Sequence, residues 1–312
     1  MSEIARLARG VACRAAQLPG MARPAAAAKR MLAGRDPDGL YGASYFKGGR
    51  NGRSGYERYD RIMSNSDFAA FIIWRNFDVE QTLEVGAAMG YLVESLRELD
   101  IEAYGVDVSK FAVENSSPAA RSYMSQVDLR GNIPVEDSSY DMVIALETLE
   151  HLPPEGVPAA VKEISRATKG WVYVTIPSFG HNEFGPDGFY SGKVKFDRLA
   201  HYESLPAEYQ GPIPYDDLLR DDGGAPIQGH IAIASFSWWT DRFAEAGLER
   251  SGEMERRIHR DIAHFGFTNL WDAYVFCEPG TPLPPEDLRT DDEARALEER
   301  WGLMDRRPGP RC

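Results

Sequence analysis

The 312-residue chain predicts a doubly wound α/β fold. From residue 81 onward, short apolar runs alternate with amphipathic segments, as a parallel sheet covered by helices on both faces requires. The stretch "TLEVGAAMGYLVESL", residues 82–96, runs from a strand-like segment through a glycine-spaced turn into a helix carrying Leu92, Val93 and Leu96. Units of this kind commonly cradle a nucleotide. The next two strand-like runs each stop on an acid, Asp107 and Asp128.

Taken in order, the first strand is expected over residues 81–86 and its helix over 90–99. The second reads "IEAYGVD" and ends at Asp107, with Ser109 placed to cap the helix "KFAVENS". The third, "SYMSQVD", ends at Asp128. The fourth, "YDMVIAL", has the near-continuous apolar run of a strand covered on both faces, and Asp141 within it reads as a structural acid at the strand start. Pro153 and Pro154 break the chain before a helix at about 157–168, and "WVYVTIP", 171–177, is the fifth strand. Residues 178–230 then hold glycines, prolines and aromatics with no clear period. A loop region of that length inside a compact domain is usually functional, so it reads as a cap. "SFSWWTDRFAEAGL" resumes as a helix, followed by strands near 248–256 and 271–277 and a docked C-terminal helix with loose flanks. The expected organisation is a basic N-terminal arm (1–40), a helical entry or lid segment (41–80), a main domain (81–280) with a cap insertion (178–230), and a charged C-terminal tail (281–312).

With 43% hydrophobic residues the chain can bury a full core. No apolar run approaches the roughly 20 residues that span a bilayer; residues 68–74 are too short and meet Arg75. Arg6, Arg9, Arg14 and Arg23 interrupt every apolar stretch near the start, against a secretory signal. The three cysteines lie far apart without a C-x-x-C, which points away from disulfides and cysteine zinc sites and toward a reduced, cytoplasmic protein. A net charge of −13 argues against a nucleic-acid partner. Residues 1–35 nevertheless carry seven Lys/Arg against one acid, Glu3. This arm either frays, contacts an oligomer partner, or lays a basic helix face on an anionic membrane surface; the sequence leaves the oligomeric state open.

A dinucleotide fingerprint would need glycine at 86, 88 and 91, where the chain has Gly86, Ala88 and Tyr91. Two of three fail, which weakens an NAD-dependent oxidoreductase. Glu84, two residues before the turn, is placed to receive an ammonium group or to hold the turn. Asp107, closing the second strand, is placed to accept both ribose hydroxyls or to cap the next helix. Charge-assisted bonds of this kind contribute roughly 1.5–3 kcal/mol each.

The segments "LEVGAAMGYL", "YGVDVS", "VDLRGNIPVEDSSYDMVIALETLEHL" and "VTIPS" resemble, in order and near spacing, the class I S-adenosylmethionine-dependent methyltransferases over about residues 80–178. The resemblance implies a Rossmann-like seven-stranded sheet with an inserted cap after strand five, and S-adenosylmethionine as cofactor. It implies that Gly86, Ala87 and Gly90 let the backbone approach the methionine part. Asp107 would hold the ribose hydroxyls with Val108 beside the adenine, Asp128 would accept from the adenine amino group, the Leu129 amide would meet a ring nitrogen, and Glu147 would lie at the cofactor's edge. Ala88 departs from the glycine that many members carry there.

Methyl transfer from a sulfonium is an in-line displacement that depends on alignment, and a hydroxyl acceptor usually needs a base. Histidine suits that role. His151, in "LEHL" beyond strand four, and His181, in "PSFGHNEFGP" after strand five, both fall at the carboxyl edge of the sheet and are the candidate catalytic residues. Asn182 and Glu183 are nearby polar candidates, and His230 is placed to close the pocket. The aromatics Phe179, Phe184, Phe189, Tyr190, Tyr202, Tyr209 and Tyr215, with Tyr41, Tyr45, Phe46, Tyr56 and Tyr59 ahead of the first strand, suit a lid over a small organic ring or the packing of outer helices. The loop acids Asp187, Asp216, Asp217, Asp221 and Asp222 are read as solvated, so no metal is assigned. The motif style resembles bacterial saccharide and natural-product methyltransferases, which implies a hydroxyl of a small-molecule acceptor, a sugar or secondary metabolite. Carbon or nitrogen methylation, a non-catalytic nucleotide-binding partner protein, and a lipid-linked glycan reached through the arm are the alternatives. The strand-four exit lacks the Asn/Asp-Pro-Pro-aromatic pattern of amino-methylating nucleic-acid enzymes.

Overall fold

The computed structural model describes residues 41–47, 59–188, 208–214, 229–266 and 272–306. The basic arm, most of the cap and the last six residues lie outside them, as do Tyr56, Phe189, Tyr190, Tyr202, Tyr215, Asp216, Asp217, Asp221 and Asp222.

The entry segment supplies a short helix, α1 (Ala43–Phe46), and a longer one, α2 (Ser66–Asn76). The core then alternates: β1 (Gln81–Val85), α3 (Tyr91–Arg97), β2 (Glu102–Asp107), α4 (Lys110–Glu114), β3 (Met124–Gln126), β4 (Tyr140–Leu146), α5 (Val157–Ala167) and β5 (Thr168–Thr175). It closes with α6 (Phe236–Glu245), β6 (Glu249–Arg250), α7 (Gly252–His264), β7 (Ala273–Cys277) and α8 (Asp291–Trp301). The strands form one seven-stranded sheet in the order β3-β2-β1-β4-β5-β7-β6. β1 to β5 are parallel, and β7 runs antiparallel to both β5 and β6.

Strand periodicity sorts the core into two layers, because successive side chains leave a strand on opposite faces. Met142 and Ile144 of β4 and Trp171 and Tyr173 of β5 face α2, α3, α7 and α8. Val143, Ala145, Val172 and Val174 face α5 and α6. Helix α5 buries Val157, Ala160, Val161, Ile164 and Ala167, spaced so that they fall on one face. Ser109 caps α4, its side chain accepting from the Ala112 amide. Asp141 accepts from the Glu80 and Gln81 amides and pairs with Lys169, the structural role expected of it. Helix α8 starts with a Thr290–Glu293 capping box.

Three boundaries differ from expectation. β3 stops at Gln126, so Asp128 stands two residues beyond the strand. β5 begins at Thr168, three residues before Trp171, because its start pairs with Tyr140. The strand expected near 248–256 is only Glu249–Arg250; from Gly252 the chain is helical, since Met254, Ile258 and Ile262 share one buried helical face that a strand would split.

One buried acid ties three elements together. Asp67, 2% exposed on α2, accepts from Arg61 Nε at 2.6 Å and Ser95 Oγ of α3 at 2.8 Å, and pairs with Arg306 beyond α8. Replacing one partner of a buried pair strands the remaining charges. Asp67→Ala is expected to lower the unfolding free energy by about 3 kcal/mol, read by urea denaturation, with the denaturant slope unchanged.

Candidate active site

The site begins where the order of the sheet reverses. β2 pairs on one side of β1 and β4 on the other, so the loops leaving β1 and β4 diverge and open a crevice at their carboxyl ends. Gly86 opens the turn at φ +74, and a Cβ there would fall 2.3 Å from Thr148 Oγ1. Only glycine lets the β4 exit lie against this turn. Gly90 closes it at φ +72 as the N-cap of α3. Ala88, between them, holds φ +47, left-handed without being glycine. It is fixed there by Asp107, whose Oδ2 accepts from the Ala88 amide at 2.7 Å and whose Oδ1 accepts from Ser109 N at 2.8 Å. Asp107 therefore holds the glycine turn and the start of α4 together; the helix cap itself is Ser109.

Carboxylates crowd this edge. Glu84 Oε2 is buried without a hydrogen-bond partner, and desolvation, with the Asp107 charge, pushes its carboxyl up to about 8. Burial raises Asp107 to about 6 against its two backbone donors. Glu147, directly after β4, holds φ +49 and has one orphaned oxygen; burial takes it up to about 8 despite a hydrogen bond from Thr175. Buried acids without partners suit a ligand that brings positive charge and hydroxyl donors.

A second cluster follows on the same exit. Glu150 is fully buried, and no other described residue donates to its carboxylate. Its backbone carbonyl accepts from the Ile231 and Ala232 amides at 2.8 and 2.9 Å, which brings the segment returning from the cap against β4. His230 Nε2 stands 3.7 Å from Glu150 Oε1, and His151 Nε2 stands 3.9 Å from the same atom. The imidazoles meet edge to face at 5.2 Å. His151 Nδ1 faces the Gly229 carbonyl at 3.2 Å, so that nitrogen carries the hydrogen and Nε2 keeps its lone pair. Burial lowers His151 to about 4, and burial with the His151 ring lowers His230 to about 3, so both are neutral at neutral pH.

Tyr41 joins the two groups. Its carbonyl accepts from Ser109 Oγ at 2.6 Å, and its ring meets His151 edge to face at 6.0 Å. Burial and the charges of Glu150 and Asp107 raise its phenol to about 12. Phe46 stacks on Phe111 of α4 at 5.9 Å, and Tyr59 lies 6.0 Å from Tyr91, so the entry segment rests over the carboxyl ends of β1 and β2.

The other expected residues are placed as follows. Val108 is half-buried and Leu129 is buried, between the ends of β2 and β3. Asp128 is held by the Arg130 guanidinium, which keeps its carboxyl below the usual range. His181 lies apart from the histidine pair, 81% exposed, with Nδ1 2.8 Å from Asp187. Asn182 is buried and accepts from Arg250, while Glu183 is exposed. Of the sequence-predicted residues, the fold gathers Glu84, Gly86, Ala87, Gly90, Asp107, Glu147 and His151 around one crevice. Glu150, within "LEHL", and His230, expected only to close the pocket, take their place in the site from the fold. An adjacent Glu-His pair with a further histidine beyond the cap is the available signal, but the approach of His230 to Glu150 is set by tertiary structure.

Residues 83–174 match the model of a family described as a methyltransferase domain. Solved structures of similar fold include an S-adenosylmethionine-dependent methyltransferase from Methanosarcina mazei, 15% identical with a TM-score of 0.44, covering 64% of this chain and 92% of that one. Magnesium protoporphyrin IX methyltransferase from Synechocystis, solved with bound S-adenosylhomocysteine, is 14% identical with a TM-score of 0.41, covering 70% and 83%. An S-adenosylmethionine-dependent methyltransferase from Thermotoga maritima is 12% identical with a TM-score of 0.41, covering 68% and 87%. No curated protein matches the sequence. The seven-stranded sheet has the class I methyltransferase fold, residues 83–174 within it match a methyltransferase domain, and the cofactor that goes with that fold and domain is S-adenosylmethionine.

Proposed function

We propose that this protein transfers the methyl group of S-adenosylmethionine to a hydroxyl of a small organic acceptor, a sugar or a natural product. The observation that carries the reading is the neutral His151, its tautomer fixed by Gly229, half-buried beside the buried Glu150 and His230 at the exit of β4. A hydroxyl is a weak nucleophile until its proton is taken, and a neutral imidazole is suited to that task. Bound S-adenosylmethionine supplies a methyl group on a sulfonium centre. Gly86, Ala87 and Gly90 admit its methionine part, Glu84 takes the ammonium, Asp107 takes the ribose hydroxyls, and Val108, Asp128 and Leu129 border the adenine. Glu147 would lie at the cofactor's edge, beyond strand four. The oxygen–methyl bond forms as the sulfur–methyl bond breaks, and the acceptor's proton leaves through the Glu150–His151–His230 cluster. The products are the methyl ether, S-adenosylhomocysteine and one proton. Tyr41, Tyr45, Phe46 and Tyr59 close over the crevice, and the cap carries acceptor contacts, His181 being one candidate.

Three measurements test this. Asp107→Ala is expected to weaken S-adenosylhomocysteine binding by about tenfold or more, about 1.4 kcal/mol, in calorimetric titration, with NADH as a non-binding control. Glu84 is protonated in the free protein at neutral pH because burial lifts it to about 8. An ammonium group beside it favours the ionised form, so its pKa falls on binding and a proton is released. Titrations at pH 7 in buffers of different ionisation enthalpy should show that release, and Glu84→Gln should reduce it. Equal release from both proteins would remove Glu84 from the ammonium site. Against a panel of hydroxylated acceptors, His151→Ala is expected to lower kcat by about 10²-fold or more with cofactor affinity kept. Full activity in the double variant His151→Ala/His181→Ala would favour a carbon or nitrogen acceptor.

A further inference from the structure

The convergence of a fully buried carboxylate and two imidazoles carries more than a proton site, and the following rests on the reading of that cluster as the acceptor's place. We infer that Glu150, His151 and His230 form a binding site for one divalent first-row transition metal ion, which holds and acidifies the acceptor hydroxyl.

The geometry has four parts. The three ligand atoms lie within 4.8 Å of one another, and both Nε2 atoms converge on Glu150 Oε1 at 3.7 and 3.9 Å. These separations are too long for hydrogen bonds. They are a few tenths of an ångström wider than the roughly 3.3–3.6 Å between ligands on one tetrahedral ion with bonds of about 2.0–2.2 Å, so small side-chain rotations bring them onto one ion. Second, Glu150 is 0% exposed and neither carboxylate oxygen has a hydrogen-bond partner, so the group calls for a cation or a proton. Third, the Gly229 carbonyl fixes the His151 tautomer, the outer hydrogen bond typical of a metal-binding imidazole. A Cβ on Gly229 would stand 3.3 Å from His151 Nδ1, so the close approach depends on glycine. Fourth, the segment carrying His230 is tied to the Glu150 carbonyl by two backbone hydrogen bonds, which sets the site before any ligand arrives.

The donor set selects the ion. Two imidazoles with one carboxylate suit Zn²⁺, Mn²⁺, Fe²⁺ or Co²⁺; Mg²⁺ and Ca²⁺ prefer all-oxygen shells. Three protein ligands leave positions for acceptor oxygens. An oxygen bound there loses its proton more readily. In this form His151 and His230 are ligands, and the proton passes to solvent water as the oxygen–methyl bond forms.

The test uses the full chain, freed of metal by chelation and titrated with Co²⁺. A saturable visible absorption at one ion per chain is expected, and its absence would overturn the site. Proton magnetic resonance of the Co²⁺ form should show two hyperfine-shifted, solvent-exchangeable imidazole N–H signals; none would place the ion elsewhere and equally overturn the site. This second reading needs no variant. Glu150→Gln and His230→Asn should each lose the absorption while still binding S-adenosylhomocysteine, and retained absorption in both would refute the assignment. The two claims fail separately. Stoichiometric Co²⁺ without methylation of any hydroxylated acceptor would leave the metal site and discard the reaction. Hydroxyl methylation undiminished in chelator, by a chain that binds no Co²⁺, would keep the reaction and discard the metal.

Discussion

The site depends on the contact between Gly86 and Thr148. Thr148 fills the space that any side chain at position 86 would need, and its hydroxyl donates to the carbonyls of Val85 and Leu146. That contact fastens the exit of β4 to the end of β1, where the sheet reverses its order. Glu147, Glu150 and His151 follow from it, since all three lie within three residues of Thr148. A parallel sheet provides a crevice at this point in any protein of the class. Here the glycine lets a second strand exit lie across it, and Glu147, Glu150 and His151 follow along that exit.

Charge separates what holds the fold from what serves the site. Asp67, Asp141 and Glu255 are acids in contact with partners: Asp67 with two arginines and a serine, Asp141 with two amides and Lys169, Glu255 with Arg250 and the Val275 amide. Glu84 and Glu150 are buried and Glu147 is half-buried, each with an orphaned oxygen at one edge of the sheet. A fold can afford such groups by keeping them protonated, which is what burial does to them. Their cost in stability becomes a preference for positive charge brought by a ligand.

Much of this was legible in the sequence, and the reasons for what was not are local and physical. β1, β2 and β4 are buried on both faces, so their apolar runs and terminal acids mark them clearly. β6 is two residues long, and the helix after it is heavily charged around Met254, Ile258 and Ile262, which let its apolar positions pass for a strand. The glycine turn and Asp107 lie within one strand-helix-strand unit, where spacing carries geometry. The pairing of His230 with Glu150 does not. It arises from two backbone bonds between the β4 exit and the chain returning from the cap, and no spacing rule spans that distance.

The left-handed backbone at Glu147 has a consequence for how this position can vary. At φ +49 a glycine would relieve about 1 kcal/mol of strain, and mutation supplies glycine from a glutamate codon by one base change. A chain selected for stability alone would drift that way. Keeping a carboxylate on a backbone that favours glycine means that stability is forfeited at this residue, and among descendants of this sequence position 147 is a place where selection for stability alone would remove the side chain early.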